Sequence, residues 1–325
     1  MPHNPFSPDT EIAARRARCE TVIGDEIRRA AAALIALNMA TATGDLGHVL
    51  TARDWSRLMH DYDLHDKDDL MCLLIGQAAT LAKPQISNFY VGAVGEEAET
   101  GNLVLGGNLE FPNTQLATTV HGEGFVTARA FAHGTTLQKI ALSEAHPCGH
   151  CRQFLSEFAG AHALQLIDPL GHNLTLSQLL PWPFSPDALG QAGAQPGKTY
   201  NKDIRLDEEF AAAIPESIQR ALTSAGERAY APYSKSPAAV ALVMEDGTVI
   251  TGMSLESVAF NPSLTAVQTS LINALANGYA YGNIADAFIV GTATGTVDIK
   301  TSLGTILQGI APKASIHICY WSERT

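Results

Sequence analysis

The chain has no run of Lys or Arg, no stretch of the roughly 20 apolar residues needed to span a bilayer, and only five cysteines in 325 residues. Each shortage excludes something. With 21 Lys and Arg against 33 Asp and Glu, the formal net charge is -12, so a polyanion would meet repulsion where phosphate contacts normally supply most of the affinity. No nucleic-acid partner is expected. The start, MPHNPFSPDTEIAARRARCE, lacks the apolar centre of a signal peptide, so neither a membrane nor an export route is expected and the reading is a cytoplasmic protein. Five cysteines cannot all pair, and Cys19, Cys72 and Cys319 are scattered, which argues against a disulfide framework.

What is present is a chain long enough for two domains, with the 46% hydrophobic content a real core requires. The first 80 or so residues place apolar side chains at three- and four-residue spacings and predict helices, over EIAARRARCETVIGDEIRRAAAALIALNMA and DWSRLMHDYDLHDKDDLMCLLIGQAATLA. After these the period changes. SNFYVGAV (87–94) and NLVLGGNLEF (102–111) predict two strands joined by GEEAETG, and TTVHGEGFVTARAFAHG predicts a helix closed by Gly134. LQKIALSEA predicts a further strand, and a helix opens at Cys148-Gly-His-Cys151. That order predicts a sheet covered by helices, an α/β fold.

The same order recurs. SKSPAAVALVMEDGTVITGMSLESVAFNPSLTAVQTSLI (234–272) repeats strand, turn, strand, Leu-Glu pair, loop and helix, so the chain reads as an internal duplication. Residues 168–203 concentrate Pro, Gly and Asn and read as linker. The expected division is a helical segment over 1–66, a first copy over 67–180, a connecting stretch over 181–213 and a second copy over 214–325.

Cys148 and Cys151, three apart on one helix face, can reach a single ion, and Pro147 before them favours a helix start whose dipole stabilises thiolates. His121 and Glu123 stand in TVHGEGF, with His121 27 positions before Cys148. One imidazole and two thiolates leave an open position on a tetrahedral zinc, as catalytic sites do. Zinc lowers the pKa of water from 15.7 toward about 7, and a nearby carboxylate can take the proton and deliver it elsewhere. On a helix, i and i+2 point apart, so Glu123 reads as a proton carrier rather than a fourth ligand; only at a helix N-terminus do both converge on one site. A redox pair and a structural zinc completed by His146 or His150 are the alternatives.

The pattern H-x-E…P-C-x-x-C resembles that of the zinc deaminases. Over most of the chain, SNFYVGA, GGNLEFP, TVHGE, PCGHCRQF, APYSKSP and AFNPSL occur in the order found in dimeric, two-copy cytidine deaminases. The resemblance implies a three-layer α/β/α cytidine deaminase-like fold, duplicated, behind an N-terminal helical segment. It implies hydrolytic deamination of cytidine and 2'-deoxycytidine, with release of ammonia, in pyrimidine salvage. By the same resemblance His121, Cys148 and Cys151 would bind one zinc per chain. Glu123 would pass protons to N3 and then to the departing amine. The backbone of Gly122 would lie against the pyrimidine and Phe89 would pack on its ring, while Asn108 and Glu110 would hold the ribose 3'-hydroxyl. The expected partners are a nucleoside and a second copy of the chain, in whose site Phe184 would cover the substrate. Glu110, between Leu109 and Phe111, needs a polar partner if buried, and a sugar hydroxyl would supply one.

The chain departs from the family pattern at Gly124, where glutamine is common; a glycine early in a helix costs up to about 1 kcal/mol relative to alanine. Competing readings are a deaminase of nucleotides or of modified cytosine nucleosides, and a non-enzymatic binding protein with a structural zinc. The lack of a Gly-rich phosphate loop counts against the nucleotide, and Glu123 counts against the binding protein. Laying LESVAFNPSLTAVQTSL on LEFPNTQLATTVHGEGF with one inserted residue puts Gln268 under His121 and Ser270 under Glu123. SIHICYWSE has Cys319 and no CxxC, so the second copy is expected to be a metal-free scaffold.

Overall fold

The computed structural model describes residues 6–41, 45–143, 146–297 and 299–322. The chain begins with α1 (Thr10–Thr41), β1 (Val49–Leu50), α2 (Ala52–Asp61) and α3 (Lys67–Ala78). The second helical stretch is divided because Asp66 restarts it: its carboxylate accepts from Asp68 N, as the Thr51 hydroxyl accepts from Asp54 N at the head of α2. α1 turns Ile27, Ala31 and Ile35 inward and packs on α3 and α2.

The first copy adds β2 (Gly92–Glu97), β3 (Leu103–Gly107), α4 (Gly122–His133), β4 (Leu137–Leu142), α5 (Gly149–Leu155), β5 (Gln165–Ile167), β6 (Asn173–Thr175) and α6 (Leu176–Leu179). Its sheet runs β1-β3-β2-β4-β5-β6, and only the β4–β5 pair, joined through α5, is parallel. The second copy comprises α8 (Glu216–Arg228), β7 (Ala239–Met244), β8 (Val249–Met253), α9 (Ala266–Ala276), β9 (Ile284–Gly291), α10 (Ile299–Ile310) and β10 (Ser315–Tyr320), with α7 (Glu208–Ala213) before it. Its sheet order β10-β9-β7-β8, again with one parallel pair, repeats β5-β4-β2-β3. α3 and α4 cover the two faces of the first sheet, as α8 and α9 cover those of the second, so the expected duplicated α/β/α layering is present.

The copies meet through α4 and α9, which pack on each other as well as on their own sheets. That explains why residues 122–131 and every residue of α9 are buried: a helix between two sheets has no water-facing stripe. The placement also sets the requirements of the helix ends. Gly134, with φ 80°, closes α4 in the left-handed conformation, and Thr265 with Gln268 forms a capping box at the head of α9.

Three sequence expectations change. The strand expected from residue 87 begins at Gly92, because side chains from the end of β3 hold residues 86–91 in a loop. The stretch 168–203 is not linker throughout, since β6 and α6 lie in it and extend the first sheet. The register of the second copy shifts by three residues. The bridges Leu109–Val120 and Leu255–Leu264 correspond, and the link between them is two residues shorter in the second copy rather than one longer. Thr265 therefore stands where His121 stands and Val267 where Glu123 stands, while Gln268 falls opposite Gly124. Among the described residues no helix is long and apolar enough to cross a membrane.

Candidate active site

Two helix N-termini face each other at the end of the first sheet. His121 is the N-cap of α4, with extended backbone (φ -87°, ψ 162°) and no capping bond from its ring. Because the cap lies outside the helical spiral, its side chain and that of Glu123 in the first turn converge, which is the exception the i, i+2 rule allows. Cys148 is the N-cap of α5, and its sulfur accepts from Cys151 N at 3.5 Å. Pro147 therefore stands one residue before the cap rather than in the first turn.

The ring Nδ1 of His121 lies 3.5 Å from Cys148 Sγ and 3.3 Å from Cys151 Sγ. A tetrahedral zinc with Zn–S near 2.3 Å and Zn–N near 2.0–2.1 Å places nitrogen and sulfur about 3.5 Å apart, so the three donors fit that ion. Neither His146 nor His150 joins them. The His150 ring sits 6.2 Å from that of His121, and His146 turns to Asp168 at 3.7 Å, beside His172. The fourth corner is thus not closed by a histidine, and a redox pair does not account for His121. All five cysteines are free thiols.

The electrostatics suit metal capture. The Cys151 and His121 hydrogen bonds hold the Cys148 thiol down to about 3, so it is a thiolate at neutral pH. The Cys148 contact and then burial push the Cys151 thiol up, and the Cys148 contact raises His121. Glu123 is 5% exposed, and burial pushes its carboxyl up, toward the range where a group can both accept and give a proton. Cys151 faces it.

The remaining candidates lie on the loop before β2 and at the end of β3. Glu110 is buried, but its partner is internal: Oε2 accepts from Ile86 N and Ser87 N, both at 2.8 Å, and Oε1 from the Ser87 hydroxyl at 2.5 Å. Asn108 staples the same loop, accepting from Val91 N at 3.0 Å and donating to Phe89 O at 2.9 Å. Phe89 is 59% exposed, so it is not the core aromatic a strand residue would be. A Cβ on Gly122 would come within 3.1 Å of Ala93 Cβ, so that turn is tight against β2. Phe184 lies past α6, half exposed, with its carbonyl accepting from Gln153 of α5 at 2.6 Å. Sequence reasoning missed Ser87; its signal was a serine two residues before the exposed aromatic.

One histidine and two cysteines spaced as a metal ion would need them, beside a buried carboxylate on an α/β/α scaffold, match the class of zinc-dependent hydrolytic deaminases. Comparison with known proteins narrows it. Family models described as the cytidine and deoxycytidylate deaminase zinc-binding region match residues 65–165 and 176–302. The cytidine deaminase of Photobacterium profundum is 34% identical over 265 residues, covering 81% of this chain and 86% of that protein. Cytidine deaminase 6 of Arabidopsis thaliana is 35% identical, covering 77% and 92%. A crystal structure of cytidine deaminase from Burkholderia pseudomallei aligns with 33% of this chain and 86% of its own, at 28% identity and a TM-score of 0.29. The chain belongs to the cytidine deaminase family.

Proposed function

We propose that the first copy hydrolyses the amino group of cytidine and 2'-deoxycytidine, releasing ammonia, with one zinc per chain held by His121, Cys148 and Cys151. The zinc would supply Lewis-acid activation of water at its open corner, at near-neutral pH. Glu123 takes a proton from the attacking water and gives it to N3 of the pyrimidine, then takes the second proton from the hydroxyl now on C4 and gives it to the departing amine, so that C4 is left as a carbonyl. Its burial supports this cycle by bringing its proton affinity up, and its place one turn-step from His121 keeps it beside the metal corner. The backbone at Gly122 lies along the pyrimidine, Phe89 covers the ring, and Asn108 with Glu110 receives the ribose 3'-hydroxyl on lone pairs left free by their loop contacts.

The observation that carries this reading is Glu123, a carboxylate 5% exposed at the same helix end as the metal-type cluster. A structural metal site has no use for a buried acid at its rim. Cytidine, deoxycytidine, cytosine and CMP offered in parallel, with loss of ultraviolet absorbance as readout, test it. Turnover of the two nucleosides alone is expected; no turnover of either nucleoside, or equal turnover of CMP, rejects it.

Further features belong to the same reading. Phe89, Tyr90, Trp182 and Phe184 are exposed large apolar residues, Trp182 at 94%, which supports a homodimer that covers them and sets Phe184 over the partner's substrate. A free-nucleoside substrate supports a place in pyrimidine salvage. Thiols that must stay reduced to hold metal support a cytoplasmic location. Sedimentation at micromolar concentration tests the dimer.

A further inference from the structure

The second copy keeps one half of the first copy's site. Glu256 Oε2 accepts from Tyr233 N at 2.9 Å and Ser234 N at 3.1 Å, and its Oε1 from the Ser234 hydroxyl, bond for bond what Glu110 does with Ile86 and Ser87. Ser236 N donates to Ser234 Oγ at 3.0 Å, as Phe89 N does to Ser87 Oγ at 3.0 Å. Ser254 Oγ accepts from Ala238 N at 3.1 Å, where Asn108 Oδ1 accepts from Val91 N at 3.0 Å. Between them Lys235 and Asn88 share the left-handed backbone, with φ of 56° and 54°.

The replacements across the rest of the site run in one direction. Ser236 stands for Phe89, Ser254 for Asn108, Thr265 for His121 and Val267 for Glu123, and each is smaller. The carboxylate clasp persists while the bulk around it is gone. A cavity of about 530 Å³ results, lined by Ser234, Ser236, Glu256, Leu264 and Thr265 with Phe260 at its side. That volume lies within the range of ligand pockets, about 300–1,000 Å³. The walls are pre-set: fully buried Glu157, from the end of α5, accepts from the Tyr233 hydroxyl at 2.6 Å and from Val258 N at 2.7 Å.

The lining defines the ligand. Among the described residues no basic side chain lines the cavity, and the capping box at the head of α9 commits Gln268 N–H to the Thr265 hydroxyl and Thr265 N–H to the Gln268 side chain, so neither group is free for phosphate. Glu256 favours hydroxyl donors, and four serines, Ser234, Ser236, Ser254 and Ser263, extend that polar edge. The opposite side is apolar, with Ala238, Leu264, Ala266 and the 63% exposed ring of Phe260. A neutral molecule with a hydroxyl-rich end and a flat unsaturated end matches both sides.

We propose that this cavity is a second, non-catalytic nucleoside site, which holds the ligand by its sugar and leaves it unchanged because metal ligands and acid are absent. The sugar assignment rests on the reading of Glu110 in the active site.

The test is calorimetric titration of the zinc-loaded full chain carrying Glu123→Gln with uridine and, separately, UMP. Uridine is expected to saturate a second equivalent per chain beyond the first, and UMP to leave that second equivalent unfilled. Ala238→Leu, which fills the apolar side of the cavity, should remove the second equivalent and spare the first; Ala266→Leu fills the same space if that variant does not fold. Glu110→Gln should weaken only the first, at least about tenfold, the scale of one lost hydrogen bond to a charged group. A single equivalent per chain, indifferent to the cavity-filling variants, overturns the proposal. An unchanged first equivalent in Glu110→Gln refutes the sugar reading of the active site, and with it the ligand class assigned here.

Discussion

Arg129 of α4 and Asn273 of α9 hold equivalent positions in the two copies and bond to each other, the guanidinium Nη1 donating to Asn273 Oδ1 at 3.0 Å. The guanidinium is fully buried, and it also grips Asp45 with two bonds of 2.7 Å and donates to Gly47 O at 3.1 Å. One side chain thus ties α4 to the second copy and to the segment after α1. Its charge is tolerated in the interior only because a carboxylate and two oxygens meet it.

Replacing Arg129 by Met should therefore cost about 1–3 kcal/mol, because it leaves buried Asn273 Oδ1 without this donor, while Asp45, 43% exposed and still bonded by Asn277, loses less. Chemical denaturation checks the figure, and zinc content of the folded fraction should not change. A loss below about 0.5 kcal/mol, the level of an ordinary surface substitution, would contradict the role.

Glu123→Gln should leave fold and zinc content intact and lower turnover by at least 10²- to 10⁴-fold, roughly the scale of one assisted proton transfer. Steady-state rates on cytidine beside elemental analysis decide it; near-normal turnover would assign the proton transfers to another group.

Metal should be bound at one equivalent per chain, and removal should unmask a single unusual thiol. Because the Cys148 pKa is depressed to about 3, its thiolate persists as pH falls, so alkylation of the metal-free protein should stay nearly level from pH 8 to about 5. An ordinary thiol loses about tenfold in thiolate per unit over that range, and Cys72, pushed up to about 12 by burial, should not react. Zinc should protect Cys148, as read by mass spectrometry of alkylated peptides.

Gly124→Ala should stabilise the protein by about 0.5–1 kcal/mol, since alanine removes the backbone-entropy cost of a helical glycine. A Cβ there meets Val120 Cγ1 at 3.7 Å and Leu264 Cδ1 at 3.9 Å, which is ordinary contact. The midpoint of thermal unfolding should rise, and activity should not.

The gathering of His121, Cys148 and Cys151 was legible in the sequence because its spacing is a covalent fact: H-x-E and CxxC each sit at one helix head, with His121 and Cys148 as the caps. The repeated strand order was legible for a similar reason, since hydrophobic patterns survive duplication. Contacts that depend on which backbone N–H groups a loop offers were not. Nothing in the Asn-Leu-Glu-Phe stretch says that Glu110 ties down Ser87 or that Asn108 ties down Val91, and these bonds together hold the loop that precedes β2. The register of the second copy was hidden by loop length, because a loop two residues shorter leaves no mark until the strand bridges fix its ends. The misplacement fell on Gln268. It is not a relic of a metal ligand but a capping residue, and its amide donates to Thr118 O of the first copy at 2.7 Å.

The α4–α9 contact also bears on why the halves are joined. If two first copies paired through the same helix contact, Arg129 would stand where Asn273 now stands, and two buried guanidinium groups would meet with only one Asp45 each to answer them. Fusing unlike copies dissolves that conflict, because symmetry no longer obliges position 273 to repeat position 129, and an amide can answer the cation. The tandem arrangement is in this respect a symmetry-breaking device: divergence of one partner relieves a repulsion that identical partners would have to share.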